Sequence, residues 1–170
     1  MPRIADPEHT VLSELKWVHE HLRRDLRACR ELAADVSAGA PAAEVQARVH
    51  DLRTRGPLFQ LKVNCLQACT FVHRHHALES ASLFPAVRSR APGMNPVVDK
   101  LEADHRSVSG LADAVEAAAH ALTHGGETAE ERTRLADALD RLSEFLLAHL
   151  AYEETSLAPL LSQWQGIPYP

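Results

Sequence analysis

The chain has 170 residues, enough to fill one hydrophobic core and too few for a comfortable second, so one domain spanning residues 1–170 is expected, with no attached output module. Its 18 Lys and Arg stand against 23 Asp and Glu, and the net charge of -5 offers no cationic field for phosphate backbones or anionic lipid, which argues against nucleic acid and membrane as partners. No apolar run approaches the roughly 20 residues that cross a bilayer, and the start Met1-Pro2-Arg3-Ile4-Ala5-Asp6-Pro7-Glu8 lacks the basic end and apolar stretch of a signal peptide, so a soluble, cytoplasmic protein is expected.

Strand signals are absent, and Ala, Leu, Glu and Arg dominate, so the chain reads as all-α. The pattern predicts a first helix from about Pro7 to Val36, stopped by Ser37-Ala38-Gly39-Ala40-Pro41. A short helix or ordered connection follows over Ala42 to Arg55, broken at Gly56-Pro57. A second long helix is expected from about Leu58 to Arg90, bent or ended early by Pro85. The clearest turn is Ala91-Pro92-Gly93-Met94-Asn95-Pro96, after which a third helix runs to about Thr123 and closes at His124-Gly125-Gly126. The fourth covers about Thr128 to Gln163, leaving an irregular tail at Gly166-Ile167-Pro168-Tyr169-Pro170. Long amphipathic helices joined by short connections form an up-down four-helix bundle, whose cofactor and metal sites are built from side chains facing the core.

An internal repeat lies within this plan. His75-His76-Ala77-Leu78-Glu79-Ser80-Ala81-Ser82-Leu83-Phe84-Pro85 matches His149-Leu150-Ala151-Tyr152-Glu153-Glu154-Thr155-Ser156-Leu157-Ala158-Pro159 in the order His, Glu, Ser, Leu, Pro at identical spacings. The second and fourth helices are therefore counterparts. Cys29, Cys65 and Cys69 are odd in number, lie in apolar helical sequence and form no CxxC, so they read as small buried residues in a reducing compartment. The 11 histidines are harder to dismiss, because most fall inside apolar-periodic sequence.

Turning each helix by about 100° per residue sorts those histidines. On the first helix His19 lies on the stripe Val11, Leu15, Leu22, Leu26 and Ala33, whereas His21 is about 120° away. On the second, Leu61, Ala68, Val72, His75, Glu79 and Ser82 share a face; His73 points nearly opposite and His76 sits at the edge. The third aligns Val98, Leu101, His105 and Ala112, with Glu102 at the margin. The fourth aligns Leu135, Ala138, Leu142, Phe145, His149, Glu153 and Leu160, with Glu154 facing outward and Tyr152 beside the site.

Each long helix thus aims one His inward, and two of them add a Glu one turn later, where residues i and i+4 stack about 6 Å apart. A buried carboxylate pair without a partner is costly, and two metal ions remove that cost. Neutral imidazoles supply terminal nitrogens, and each carboxylate can bridge, a mixture that suits iron, manganese or zinc. Two six-coordinate ions have roughly twelve positions, of which four His, two bridging carboxylates and a bridging oxygen fill about ten, leaving room for a gas-sized ligand. The expected metal ligands are His19, His75, Glu79, His105, His149 and Glu153.

These residues resemble the hemerythrin-like family, also described as the HHE cation-binding domain. The resemblance covers almost the whole chain, through His19-Glu20-His21-Leu22-Arg23-Arg24, Phe71-Val72-His73-Arg74-His75-His76-x-x-Glu79-x-x-x-Leu83-Phe84-Pro85, Asp104-His105-Arg106 and His149-Leu150-x-x-Glu153-Glu154. It implies two iron ions in an oxo-bridged di-iron centre, manganese or zinc being less expected. It also implies roles in binding dioxygen or in handling peroxide, nitric oxide or iron, and it assigns the same six positions as ligands. The oxygen-carrying members place two histidines a turn apart on the third helix; here Leu101 and Ser109 flank His105, with Glu102 as a candidate substitute. Some relatives carry a Tyr where Ala68 stands, which removes a phenolate ligand. The sequence expectation is therefore a ligand-poor centre that turns over hydrogen peroxide or nitric oxide in oxidative or nitrosative stress defence. The alternative is a non-catalytic oxygen or iron sensor or store, which would need a partner protein.

Overall fold

Helix α1 (Val11–Ser37) opens on a reciprocal cap: the Ser13 N–H donates to the Thr10 hydroxyl at 3.2 Å, and the Thr10 N–H donates to the Ser13 hydroxyl at 3.0 Å. The computed structural model describes residues 10–38, 57–121 and 128–168, and among these residues the regular structure is helical throughout. The expected segment over Ala42 to Arg55 and the expected start of the first helix at Pro7 lie outside the described residues.

Helix α2 (Pro57–Leu78) begins with proline at its first position, where a missing N–H costs nothing. It runs into a π turn (Glu79–Leu83) and then α3 (Phe84–Arg90). The cause is Pro85. Its ring would press on the carbonyl four residues back and it has no N–H to offer, so the chain inserts one residue and the Phe84 N–H bonds the Glu79 carbonyl instead. Pro85 therefore does not end the helical run; Ala91, with φ -140°, ends it ahead of Pro92.

A 3₁₀ turn (Pro92–Met94) leads into α4 (Asn95–Ala121), and α5 (Ala129–Leu161) starts at a capping box between Thr128 and Glu131. Helix α1 packs on α2 and α5, and α4 packs on the same two, so the four long helices enclose a common interior. The Val11 N–H donates to the Trp164 carbonyl at 2.8 Å, fastening the start of α1 to the segment just past α5.

Two apolar clusters fill that interior. One gathers Leu22, Leu26, Val72, Val108, Leu146 and Leu150, together with the three free cysteines. The other gathers Leu15, Leu83, Phe84, Leu101 and Leu157. Each fully buried Leu or Phe contributes about 1.5–3 kcal/mol of transfer free energy. On every long helix the residues between these clusters are polar: His19 between Leu15 and Leu22, His75 to Glu79 between Val72 and Leu83, His105 between Leu101 and Val108, and His149 and Glu153 between Leu146 and Leu157. A polar layer sealed on both sides by hydrocarbon is what the fold builds.

The inward stripes differ from the sequence expectation in two places. Ser82 is exposed while Leu83 and Phe84 are buried, because the residue inserted by the π turn moves every later position around the axis. On α5 the expected Leu135 and Leu142 are buried, but the stripe is completed by Leu139, Leu146, Leu150, Leu157 and Leu161, and Ala138, Phe145 and Leu160 are only half-buried at its side.

Candidate metal centre

The polar layer brings together all six residues expected from the sequence, and it adds His76. The first group comprises His19, His75, Glu79 and Glu153, whose donor atoms lie within 4.8 Å of one another. His19 Nε2 is 3.1 Å from His75 Nε2, 3.5 Å from Glu153 Oε2 and 3.9 Å from Glu79 Oε1. His75 Nε2 is 3.1 Å from the same Glu79 oxygen, one turn along its own helix. The second group comprises His76, His105 and His149, again with donor atoms within 4.8 Å.

The carboxylates join the two groups. Glu79 turns Oε1 toward His19 and His75, and Oε2 toward His105 Nε2 at 3.3 Å. Glu153 Oε2 lies 3.5 Å from His19 Nε2 and 3.8 Å from His149 Nε2. These separations suit ligands facing a shared centre and lack the alignment of hydrogen bonds. Both oxygens of Glu79, both oxygens of Glu153, both nitrogens of His149 and the Nε2 atoms of His76 and His105 are buried without a hydrogen-bond partner. So many orphaned polar atoms in one layer would be heavily destabilising if nothing bound there, since a buried polar group without a partner costs about 1–3 kcal/mol. Metal cations are what this set of nitrogen and oxygen donors fits.

Electrostatics point the same way. Burial lowers His19, His75 and His105 to about 3, helped by Arg23 at His19, by His19 at His75 and by His149 at His105. Burial also lowers His76 and His149. All five rings are therefore neutral at pH 7, the form that donates a lone pair to a metal. Burial raises Glu79 well above the usual carboxylate range, with the charge of Glu153 adding to the effect, and burial followed by the charge of Glu154 raises Glu153 to about 8. Burial thus favours the protonated form of both carboxyls, and a bound cation would have to displace those protons.

Several side chains hold the imidazoles from behind. His19 Nδ1 meets Glu154 Oε1 at 2.8 Å, and the Arg23 guanidinium donates to that oxygen at 2.8 Å. His105 Nδ1 meets the Ser80 hydroxyl at 3.3 Å. His149 Nδ1 faces Asp104 Oδ2 at 3.6 Å. These contacts aim each Nε2 into the polar layer.

Two sequence expectations change, those for His76 and Glu154. His76, expected at the edge, is buried, and its ring stacks on His105 with centroids 3.9 Å apart and planes 9° from parallel. The adjacent pair His75-His76 was the available signal: α2 faces both α1 and α4, so neighbouring positions 100° apart around the axis each find an inward direction. Glu154, expected to face outward, folds back onto His19 and Arg23; a basic residue one turn beyond His19 is the trace this leaves in the sequence. Glu102 belongs to neither group and pairs with Arg88 at 3.0 Å, in keeping with the solvated role expected for it. Tyr152 lies beneath Lys100, whose ammonium sits 4.4 Å from the ring centroid, and packs against the second apolar cluster. As expected, His21 and His73 stay out of the layer: His21 holds the Trp17 carbonyl, and His73 faces Asp113 and Glu116 across α4.

A cleft of about 360 Å³ between α2 and α4 reaches the site from outside, lined by His76, Ser80, Glu102, His105 and Arg106 among others. No helix among the described residues is long and apolar enough to cross a membrane. Comparison with curated proteins and with solved structures finds no match. The family model described as the hemerythrin HHE cation-binding domain, however, matches residues 10–161, the same stretch whose helices build the polar layer. The chain belongs to the hemerythrin HHE cation-binding family, and its buried His and Glu clusters are suited to holding a metal.

Proposed function

We propose that this chain is a soluble, cytoplasmic di-iron protein, built as a single up-down four-helix bundle, that binds small oxidants and turns them over in oxidative or nitrosative stress defence. The observation that carries the reading is the convergence of His19, His75, His76, His105, His149, Glu79 and Glu153 on one buried layer, in which donor atoms of His76, His105, His149, Glu79 and Glu153 have no hydrogen-bond partner. Glu79 and Glu153, which face both groups of histidines, would serve both ions. His19 and His75 would hold one ion, and His76, His105 and His149 would hold the other. Iron bound there supplies reversible one-electron chemistry and a coordination position for dioxygen, hydrogen peroxide or nitric oxide.

The cleft from outside reaches His76 and His105. Three imidazoles would serve that side of the centre and two the other, so the side of His19 and His75 has fewer protein donors. Hydrocarbon from Leu15, Leu22 and Val72 borders these residues along their helices and keeps bulk water away.

His76 also favours a second reading. The ligand-poor centre inferred from the lone histidine on α4 gains from α2 the imidazole that α4 lacks, and a fuller set of ligands suits reversible binding in a sensor or store. The optical spectrum of iron-replete protein separates the two readings. Turnover of added peroxide or nitric oxide supports catalysis, and an oxygen-dependent band that vanishes on degassing, without turnover, supports storage. Fewer than about one iron per chain after growth with adequate iron would overturn both.

A further inference from the structure

The contact between Glu154 and His19 has a counterpart across the layer. In each copy of the repeat, the residue after the glutamate leaves its own helix and meets an imidazole of a neighbouring helix. Glu154, after Glu153 on α5, meets His19 Nδ1 of α1 at 2.8 Å; Ser80, after Glu79 on α2, meets His105 Nδ1 of α4 at 3.3 Å. The functional unit of the repeat is thus His-x-x-x-Glu followed by an anchor, which fixes a histidine that the repeat itself does not contain. The two anchors differ in kind. Ser80 is an exposed neutral hydroxyl, whereas Glu154 is a half-buried carboxylate whose Oε1 also accepts from Arg23, a residue one turn beyond His19 on the same helix.

We propose that Glu154, held by Arg23, is a positioning residue that fixes the proton of His19 on Nδ1 and aims a bare, electron-rich Nε2 at the ion shared with His75, so that the two halves of the centre are unequal. The proposal rests on the di-metal reading only for its metal-binding consequence. Two physical effects carry it. A carboxylate accepting from Nδ1–H excludes the other tautomer, and the negative charge behind the ring strengthens Nε2 as a donor, which a neutral hydroxyl does far less. The guanidinium, donating to the same Glu154 oxygen, holds that oxygen in place.

The test uses the full chain in two states. Without metal, ¹⁵N-histidine NMR reads the tautomer of His19: Nδ1–H is expected in the wild type, a mixture in Glu154→Leu, and a return toward Nδ1–H in Glu154→Gln, whose amide oxygen still accepts. With metal, anaerobic Fe(II) titration is expected to show one ion weakened about 10–100-fold in Glu154→Leu, less in Glu154→Gln, and less again in Ser80→Ala. Circular dichroism of each variant confirms the helices, and the Gln variant keeps the shape of the side chain if Leu fails to fold. An unchanged His19 tautomer in Glu154→Leu, or unchanged affinity for both ions, overturns the proposal. A wild-type chain that takes up no Fe(II) overturns the di-metal reading instead, and the tautomer measurement still decides the role of Glu154.

Discussion

The two copies of the repeat share His, Glu, Ser, Leu and Pro at the same spacings, yet they do different work. In the α5 copy the residue after the histidine is Leu150, which packs in an apolar cluster; in the α2 copy it is His76, which stacks on His105 and turns its Nε2 into the polar layer. The proline in the α5 copy, Pro159, falls in the last turn and the helix simply ends two residues later, whereas Pro85 has a further run of helix to sustain and a π turn opens ahead of it. Four residues of the polar layer, His75, His149, Glu79 and Glu153, therefore come from the set held in common, while His76 comes from a position where the copies differ.

The largest effect should follow from removing what the copies share. Glu153→Leu or Glu79→Leu takes away an expected bridge, and iron measured by elemental analysis should fall from about two per chain to one or fewer. Retention of both ions in either variant would mean that the carboxylates do not bridge. The same variants should raise the stability of the metal-free chain, since a desolvated carboxyl leaves an apolar layer.

Making the copies alike is the next test. His76→Leu writes the α5 residue into α2. It should weaken the ion held with His105 and His149 while stabilising the metal-free chain by about 1–3 kcal/mol in urea unfolding, because an unpartnered imidazole nitrogen is no longer buried. Opposite signs for the two readouts distinguish a ligand from a packing residue; loss of both would assign His76 to packing alone.

Acidity probes the layer as a whole. His19, His75 and His105 titrate near 6.5 when unfolded and at about 3 when folded, so their contribution to metal-free stability is complete above pH 6.5 and is lost as pH falls toward 3. Glu153 works the other way: its folded value of about 8 lies above the unfolded 4.5, so its contribution is complete below pH 4.5 and is lost as pH rises toward 8. Lowered histidines outnumber raised carboxyls in the layer, so metal-free stability should climb from pH 3 to a maximum near pH 6.5 and then decline toward pH 8. Urea unfolding across that range checks the shape; a steady rise through pH 8 would mean that Glu79 and Glu153 are ionised without metal. The smallest effect belongs to Glu102→Gln, which removes an ion pair with the partly exposed Arg88. Metal content should be unchanged, and stability should shift by less than about 1 kcal/mol.

Much of this was legible in the sequence because helical rotation is a strong constraint on long, periodic segments. His19, His75, Glu79, His105, His149 and Glu153 were each chosen by their place on an apolar stripe, and each is buried in the layer. The same rule failed where an assumption behind it failed. It treats every helix as having one inward direction, and α2, packed on both α1 and α4, has an arc wide enough for His75 and His76 together. It treats every turn as alike, and the π turn at Glu79–Leu83 exchanged Ser82 for Leu83 and Phe84. It also sorts residues by direction at Cβ, whereas Glu154 is long enough to start outward and fold back to His19.

The central claim is that seven side chains hold two ions in unequal halves of one layer. Anomalous diffraction at the iron edge, from crystals of the chain expressed with adequate iron, tests it most directly. Two peaks are expected, one against His19 and His75, the other against His76, His105 and His149, with Glu79 and Glu153 touching both. A single peak, or a second peak that leaves His76 without contact, would contradict it.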